Sequence, residues 1–216
     1  MLERIEINQV PDLFDSIAAQ FQKNEGMLGE MDALLGDGDL GLTMRKGFSA
    51  LPGFMRATQE HNISMLLRKA GMEMMDVVPS TMGMLMGTGL SFAGKALIGC
   101  VCIDARGLSL FLRGYADGIV RRGRCSRGDR TVLDSIGLAA DYANKALTDG
   151  NGAATLKEIC QAALTGANEG AESTRIMTPK FGKAAVHVDA ARGVIDQGAM
   201  AGLLLVQGIT EYAMKQ

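Results

Sequence analysis

The helical fold and the chemistry of this chain are both marked by one short stretch, residues 31–41, which read MDALLGDGDLG. A helical pattern of apolar residues ends here, and three glycines let the backbone turn tightly. Asp32 from the last helical turn and Asp37 and Asp39 from the loop can therefore converge on one centre. Three carboxylates repel one another, and a bound cation relieves that repulsion. The spacing leaves open a plainer alternative, a solvated acidic turn that caps a helix.

The ligand types narrow the choice of cation. Carboxylate oxygens with no His or Cys nearby favour Mg²⁺ or Ca²⁺ over zinc. A calcium loop of the EF-hand type beginning at Asp37 would need an acidic residue at its twelfth position, where Phe48 stands. Because Mg²⁺ usually shares its shell with water and substrate phosphates, the loop indicates nucleotide chemistry.

Size and composition limit the class of protein. Of the 216 residues, 47% are hydrophobic and 21% charged, and no linker interrupts them, so we expect one domain over residues 1–216. A net charge of −2 gives no reason to expect a nucleic-acid or membrane partner. Residues 1–6 lack the apolar run of a signal peptide, which predicts a cytoplasmic protein.

Apolar residues recur with helical period almost throughout, which predicts an all-α bundle of seven to nine helices. A long first helix covers residues 13–35 with an interruption at Gly26, and the last helix runs from about Ala199 to Met214. Only Val101–Ile103 resembles a strand. The apolar stretch Val77–Ile103 is broken by glycines and a lysine, so we expect a buried, close-packed helix there rather than a membrane span.

Two loops carry unusual residues. Ser80 follows Pro79 and can cap the next helix, leaving free N–H groups for an anion. Residues 121–131, which read RRGRCSRGDRT, form a basic loop that runs into another helix, with Asp129 as its N-cap. This loop could hold phosphate, meet an acidic partner or be solvated. No Walker A sequence, dinucleotide-binding motif or Ser-His-Asp arrangement is present.

Four segments follow one another in a recognisable order: the carboxylate loop, residues 80–88, residues 128–134 and residues 196–199. Residues 128–134 read GDRTVLD, close to Gly-Asp-Lys-Thr-Met-Leu-Asp. Together these segments resemble the nucleotide-binding L subunit of dihydroxyacetone kinases, over nearly the whole chain. The resemblance implies an all-α barrel of eight antiparallel helices, with the nucleotide and two Mg²⁺ ions at one end.

The resemblance also implies the site residues. Asp32, Asp37 and Asp39 would hold the two Mg²⁺ ions, and no side chain of this chain would act as a catalytic residue. The implied contacts to ADP or ATP are Leu40, Gly41, Leu42, Thr43, Thr81, Met82, Gly123, Val132, Lys183, Asp196, Gln197 and Gly198.

A kinase that works with a partner is the implied function. The L subunit binds ADP or ATP and presents the phosphoryl group that is transferred. A separate K subunit holds dihydroxyacetone or a related small ketose through a histidine. Some family members use ATP directly, and others keep ADP bound and receive phosphate from a phosphotransferase-system protein. The ketose, the donor and a possible homodimer stay open.

Several positions depart from the family pattern. Leu40 stands where a His is common, Met82 where a Ser is common, and Lys183 replaces an arginine. Residues 194–198 read VIDQG where the family has His-x-Asp-Pro-Gly. With the metal ligands intact, we expect a diverged, active member. Two alternatives are the nucleotide domain of another kinase such as a fatty-acid kinase, which usually carries further domains, and a non-enzymatic nucleotide-sensing regulatory subunit.

Overall fold

The structure is a computed structural model that describes residues 2–150 and 153–215. The two ends of the expected 1–216 domain, Met1 and Gln216, lie outside the described residues. The helices are α1 (Val10–Lys23), α2 (Glu25–Ala33), α3 (Leu40–Ala57), α4 (Ile63–Val77), α5 (Thr81–Ala96), α6 (Ala105–Gly123), α7 (Val132–Asp149), α8 (Leu156–Ser173), α9 (Val188–Ala191) and α10 (Gln197–Lys215). Two short strands, β1 (Ile5–Glu6) and β2 (Cys102–Ile103), pair antiparallel.

Eight helical rods form a closed antiparallel ring. In chain order α1, α3, α4, α5, α6, α7 and α8 each pack against the next, α10 packs against α8, and α10 closes the ring against α1. The helix α2 continues α1 after a break. Because successive rods reverse direction, the first residues of α3, α5, α7 and α10 lie together at one end of the barrel. The predicted all-α barrel of eight antiparallel helices is confirmed.

The described residues form ten α-helices where seven to nine were predicted, because α2 is separate from α1 and α9 is a single four-residue helix. Two further details of the helix pattern differ from the prediction. The first helix breaks at Asn24 rather than at Gly26, which lies inside α2. The Asn24 side chain donates to the Gln20 carbonyl at 2.8 Å, a local bond that competes with helix continuation. The second difference is β1, which pairs with part of the stretch Val101–Ile103 and is too short to show alternation.

Small residues let α4 and α5 approach closely, as the sequence predicted for the long apolar stretch. A Cβ atom added at Gly71 would stand 2.5 Å from the Gly87 carbonyl oxygen, and one at Gly94 would stand 2.7 Å from the Ser64 carbonyl oxygen. Such contacts need residues without bulky side chains. None of the helices in the described part of the chain has the length and apolarity needed to cross a bilayer.

Replacing Gly170 by Ala should destabilise the barrel, because the new Cβ would stand 2.2 Å from the backbone carbonyl oxygen of Asp134 on α7. We expect a loss of about 3 kcal/mol in the free energy of unfolding, measured by urea denaturation. Gly53→Ala is the matched control, since it is also inside a helix but meets no atom within 4 Å. That variant should gain about 1 kcal/mol through helix propensity. Equal effects at the two positions would contradict the packing described for α7 and α8.

Candidate functional site

A cavity of about 340 Å³ opens where four helices begin. Its wall includes the first residues of α3, α5, α7 and α10: Leu40, Thr81, Val132 and Gln197. The N-terminus of a helix presents N–H groups without intrahelical partners and the positive end of the helix dipole. Four such ends around one cavity favour a bound anion.

Side-chain caps fix three of these helix ends, those of α5, α10 and α7. Ser80 accepts a hydrogen bond from the Gly83 N–H at 3.0 Å, so it caps α5 as the sequence predicted. Asp196 precedes α10 and accepts from the Ala199 N–H at 2.9 Å. Burial raises the pKa of the Asp196 carboxyl to about 6, since desolvation outweighs this hydrogen bond and the charge of Arg130.

The loop before α7 differs from the sequence expectation. Thr131, rather than Asp129, caps this helix, and its side chain accepts from the Leu133 N–H at 3.2 Å. Asp129 instead accepts from the Ser126 N–H at 2.7 Å inside the loop. The prediction that Asp129 is the cap was wrong, because left-handed backbone at Arg130 (φ 62°) turns the chain once more before the helix begins.

Asp134 explains why the GDRTVLD segment ends in an acidic residue. Its carboxyl accepts from the N–H groups of Gly128 and Thr131, both at 2.6 Å. It therefore holds the loop against the first turn of α7. Burial raises the pKa of Asp134, although these two hydrogen bonds act in the opposite direction.

The three aspartates of residues 31–41 converge as the sequence predicted. One carboxylate oxygen from each of Asp32, Asp37 and Asp39 lies within 4.8 Å of the others. Asp32 is buried at the end of α2, and its Oδ2 accepts from the N–H groups of Gly38 at 3.0 Å and Leu40 at 3.4 Å. Two exposed carboxylates are thus folded over a buried one.

The charges of this cluster fit a divalent cation. Although Asp39 is exposed, partial desolvation by the surrounding loop raises the pKa of its carboxyl, and the charges of Asp37 and Asp32 raise it further. Lys183 forms an ion pair with Asp37 and lowers the pKa of that carboxyl. One ammonium against three carboxylates leaves an excess of negative charge on hard oxygen donors, which is the donor set that Mg²⁺ takes in proteins.

The first residue of α10 contacts the same carboxylate cluster. The Gln197 side chain donates from Nε2 to Oδ1 of Asp32 at 3.3 Å. This bond joins the carboxylate loop to the start of α10, and the ion pair of Lys183 joins the loop to the segment between α8 and α10. The carboxylates therefore lie at the same end of the barrel as the four helix N-termini.

Most of the positions implied by the resemblance line this cavity. They are Asp32, Asp37, Asp39, Leu40, Thr43, Thr81, Met82, Val132, Lys183, Asp196, Gln197 and Gly198. Lining residues that were not predicted as site residues are Gly36, Ser80, Leu85, Arg130, Thr131, Phe181 and Gly182.

Three predicted contacts do not line the cavity. Gly41 faces α2, where an added Cβ would stand 1.9 Å from the Glu25 carbonyl oxygen. Leu42 is 52% exposed on the outer side of α3. Gly123 lies behind a lining residue, since its added Cβ would meet the Leu85 side chain at 3.1 Å. For Gly41 the close helix crossing is a sufficient reason for the glycine.

Arg130 is the main residue of this region that the sequence did not single out. In the basic loop, Arg127 pairs with Asp141 at the surface, while the Arg130 side chain is 0% exposed and pairs with Asp196. Both look alike in the sequence. Only the packing of a segment that lies far along the chain distinguishes the buried arginine from the solvated one.

Comparison with known proteins gives relatives of similar length and also relatives that are much longer. The ADP-binding subunits DhaL of the PEP-dependent dihydroxyacetone kinase of Escherichia coli K12 and of PEP-dependent dihydroxyacetone kinase 1 of Listeria innocua are each 27% identical. The alignments cover 87% and 88% of this chain, respectively, and 88% of each relative. An L-erythrulose 1-kinase of Mycolicibacterium smegmatis is 30% identical over 94% of this chain, which spans 34% of that enzyme.

Solved structures show the same fold. The dihydroxyacetone kinase of C. freundii in complex with AMP-PNP and Mg²⁺ aligns with a TM-score of 0.69 at 23% identity over 95% of this chain. The native form gives a TM-score of 0.69 at 21% identity over 98% of this chain. This chain spans about a third of those kinase chains, 34% and 36%. The DAK2 domain model matches residues 34–211, and the chain belongs to the DAK2 domain family.

Proposed function

We propose that this chain is the nucleotide-binding, phosphoryl-donor subunit of a kinase that acts on dihydroxyacetone or a related small ketose. The observation that carries the proposal is the convergence of three carboxylates and four helix N-termini on one cavity. Relatives of matching length are named as ADP-binding subunits of dihydroxyacetone kinases. The ketose would lie on a separate K subunit and would receive phosphate on its hydroxyl group.

Different groups would bind the metal ions and the phosphates of the nucleotide. Asp32, Asp37 and Asp39 would hold Mg²⁺, and we propose two ions. Bound Mg²⁺ neutralises the charge of the phosphate oxygens during phosphoryl transfer. The free N–H groups at the starts of α3, α5, α7 and α10 would donate to the same phosphates. Thr43 and Thr81 add hydroxyl donors at the cavity wall.

Lys183 would exchange partners when nucleotide binds. It now pairs with Asp37, and a cation on the carboxylates would free its ammonium group for a phosphate oxygen. Gln197 and Gly198 at the start of α10 would close the cavity around the nucleotide. Gly41, Leu42 and Gly123 stay proposed contacts of the nucleotide, although they lie outside the cavity wall.

The relatives suggest a class of phosphoryl donor and a class of substrate. PEP-dependent and PTS-dependent subunits at 24–27% identity support a phosphotransferase-system protein as the donor. Erythrulose kinases at 26–30% identity support a four-carbon ketose. A nucleotide-sensing role is the second candidate, because apolar Leu40 and Met82 line the cavity.

Thermal unfolding tests the coupling of nucleotide and metal. ADP at about 100 times its dissociation constant should stabilise the protein by about 2.7 kcal/mol when Mg²⁺ is present. With EDTA the stabilisation should nearly vanish, since the carboxylates and the phosphates then repel each other. Equal stabilisation under both conditions would remove the metal from the proposal.

Turnover with a K subunit tests the kinase activity itself. We expect ketose phosphate to form only when this chain, the K subunit, Mg²⁺ and a phosphoryl donor are all present. Both ATP and a phosphorylated phosphotransferase-system protein should be supplied as donors. Tight nucleotide binding without turnover from either donor would favour the nucleotide-sensing role.

A further inference from the structure

Arg130 is a buried charge at the wall of the cavity. Its side chain is 0% exposed, and its backbone has the left-handed conformation at φ 62°. Burying a guanidinium is costly unless protein groups satisfy its donors. The buried Arg130 side chain must therefore be stabilised by hydrogen bonds to neighbouring protein groups.

Two nitrogens of this guanidinium donate hydrogen bonds to residues 191–196, the segment before α10. One donates to Oδ1 of Asp196 at 3.3 Å, and the other donates to the carbonyl oxygens of Val194 at 3.0 Å and Ala191 at 3.4 Å. Only Nε lacks a hydrogen-bond partner among the described residues. The planar fork of an arginine suits three acceptors arranged in this way.

Further contacts hold the segment between α8 and α10 in place. The Asp196 N–H donates to the Thr174 hydroxyl at 2.8 Å. The Lys180 N–H donates to the Asp129 carbonyl at 3.2 Å, and the Lys180 ammonium pairs with the Asp129 carboxylate at 2.5 Å. These hydrogen bonds and this ion pair connect the loop before α7 to the segment between α8 and α10. Arg130 makes the buried part of this connection.

We propose that Arg130 is a positioning residue for the nucleotide site. By holding residues 191–196, it fixes the start of α10, where Gln197 and Gly198 line the cavity beside Val132 of α7. It sets nucleotide affinity through this segment rather than through contact with the nucleotide. This inference rests on the proposed function, since it concerns how tightly that site binds ADP.

The test compares Arg130→Met with Arg127→Met, an arginine three positions earlier that pairs with Asp141 at the surface. Two quantities are measured on the complete chain, the dissociation constant of Mg²⁺–ADP by calorimetry and the amide hydrogen exchange of residues 191–199 without nucleotide. Arg130→Met should weaken Mg²⁺–ADP binding by about tenfold, the equivalent of one or two lost hydrogen bonds. It should also speed exchange in this segment. Arg127→Met should change neither quantity.

A change in only one of the two quantities would contradict the proposal. Faster exchange with unchanged affinity would show a purely structural role, and weaker affinity with unchanged exchange would show direct contact with the nucleotide. Either result overturns the proposal. If Arg130→Met does not fold, Arg130→Lys keeps the buried charge and should show smaller changes in both quantities. A wild-type protein that binds no Mg²⁺–ADP would refute the proposed function instead, and the exchange comparison would still report on the segment.

Discussion

Asp37→Asn should weaken Mg²⁺-dependent ADP binding by about 100-fold and leave the barrel intact. The loss is large because an amide carries no charge, so the cluster would lose one of its three anionic ligands. The fold should tolerate the change because the Asp37 side chain is 58% exposed and its ion pair with Lys183 lies at the surface. Calorimetry with Mg²⁺ and ADP measures the affinity, and thermal unfolding without ligand checks the fold.

Asp189→Asn supplies the matched control for this experiment. Asp189 lies on α9, and its carboxylate is 97% exposed with one weak ion pair to Arg192 at 4.0 Å. The same loss of one negative charge there should leave ADP affinity unchanged. If Asp37→Asn binds ADP as tightly as the control, the carboxylates form a solvated turn, which is the alternative that the sequence left open.

The carboxylate loop could be predicted because its information is local. Asp32, Asp37 and Asp39 lie within eight residues, and glycines between them allow a tight turn, so convergence follows from spacing alone. The cap at Ser80 is local in the same way. Helical periodicity likewise predicted the rods, although a side-chain bond at Asn24 moved the first break by two residues.

Contacts between distant segments could not be predicted in this way. Arg130 and Asp196 are 66 positions apart, and the sequence shows only five arginines in one loop. Their burial depends on where the segment before α10 packs, which is decided by the closure of the ring between α1 and α10. Gly41 shows the same limit, since the sequence cannot tell a glycine needed for helix packing from one that approaches a ligand.

Met82→Ser should tighten ADP binding by about tenfold and slow its release. Met82 is half-buried at the start of α5 and lines the cavity, but its side chain cannot donate a hydrogen bond. A serine hydroxyl at this helix end can donate to a phosphate oxygen, and a hydrogen bond to a charged group is worth about 1.5–3 kcal/mol. Met84→Ser is the control, because Met84 is also half-buried in α5 but does not line the cavity.

The wild-type residue therefore bears on the choice of phosphoryl donor. With Leu40 and Met82 in place of hydrogen-bonding side chains, ADP should leave quickly, and rapid exchange suits a subunit that reloads with ATP from solution. A subunit rephosphorylated by a phosphotransferase-system protein has to retain ADP through many cycles. We expect extensive dialysis to remove ADP from the wild-type protein, and ATP to support ketose phosphorylation with the K subunit. Stoichiometric ADP that survives dialysis, together with no phosphorylation from ATP, would reverse this choice of donor.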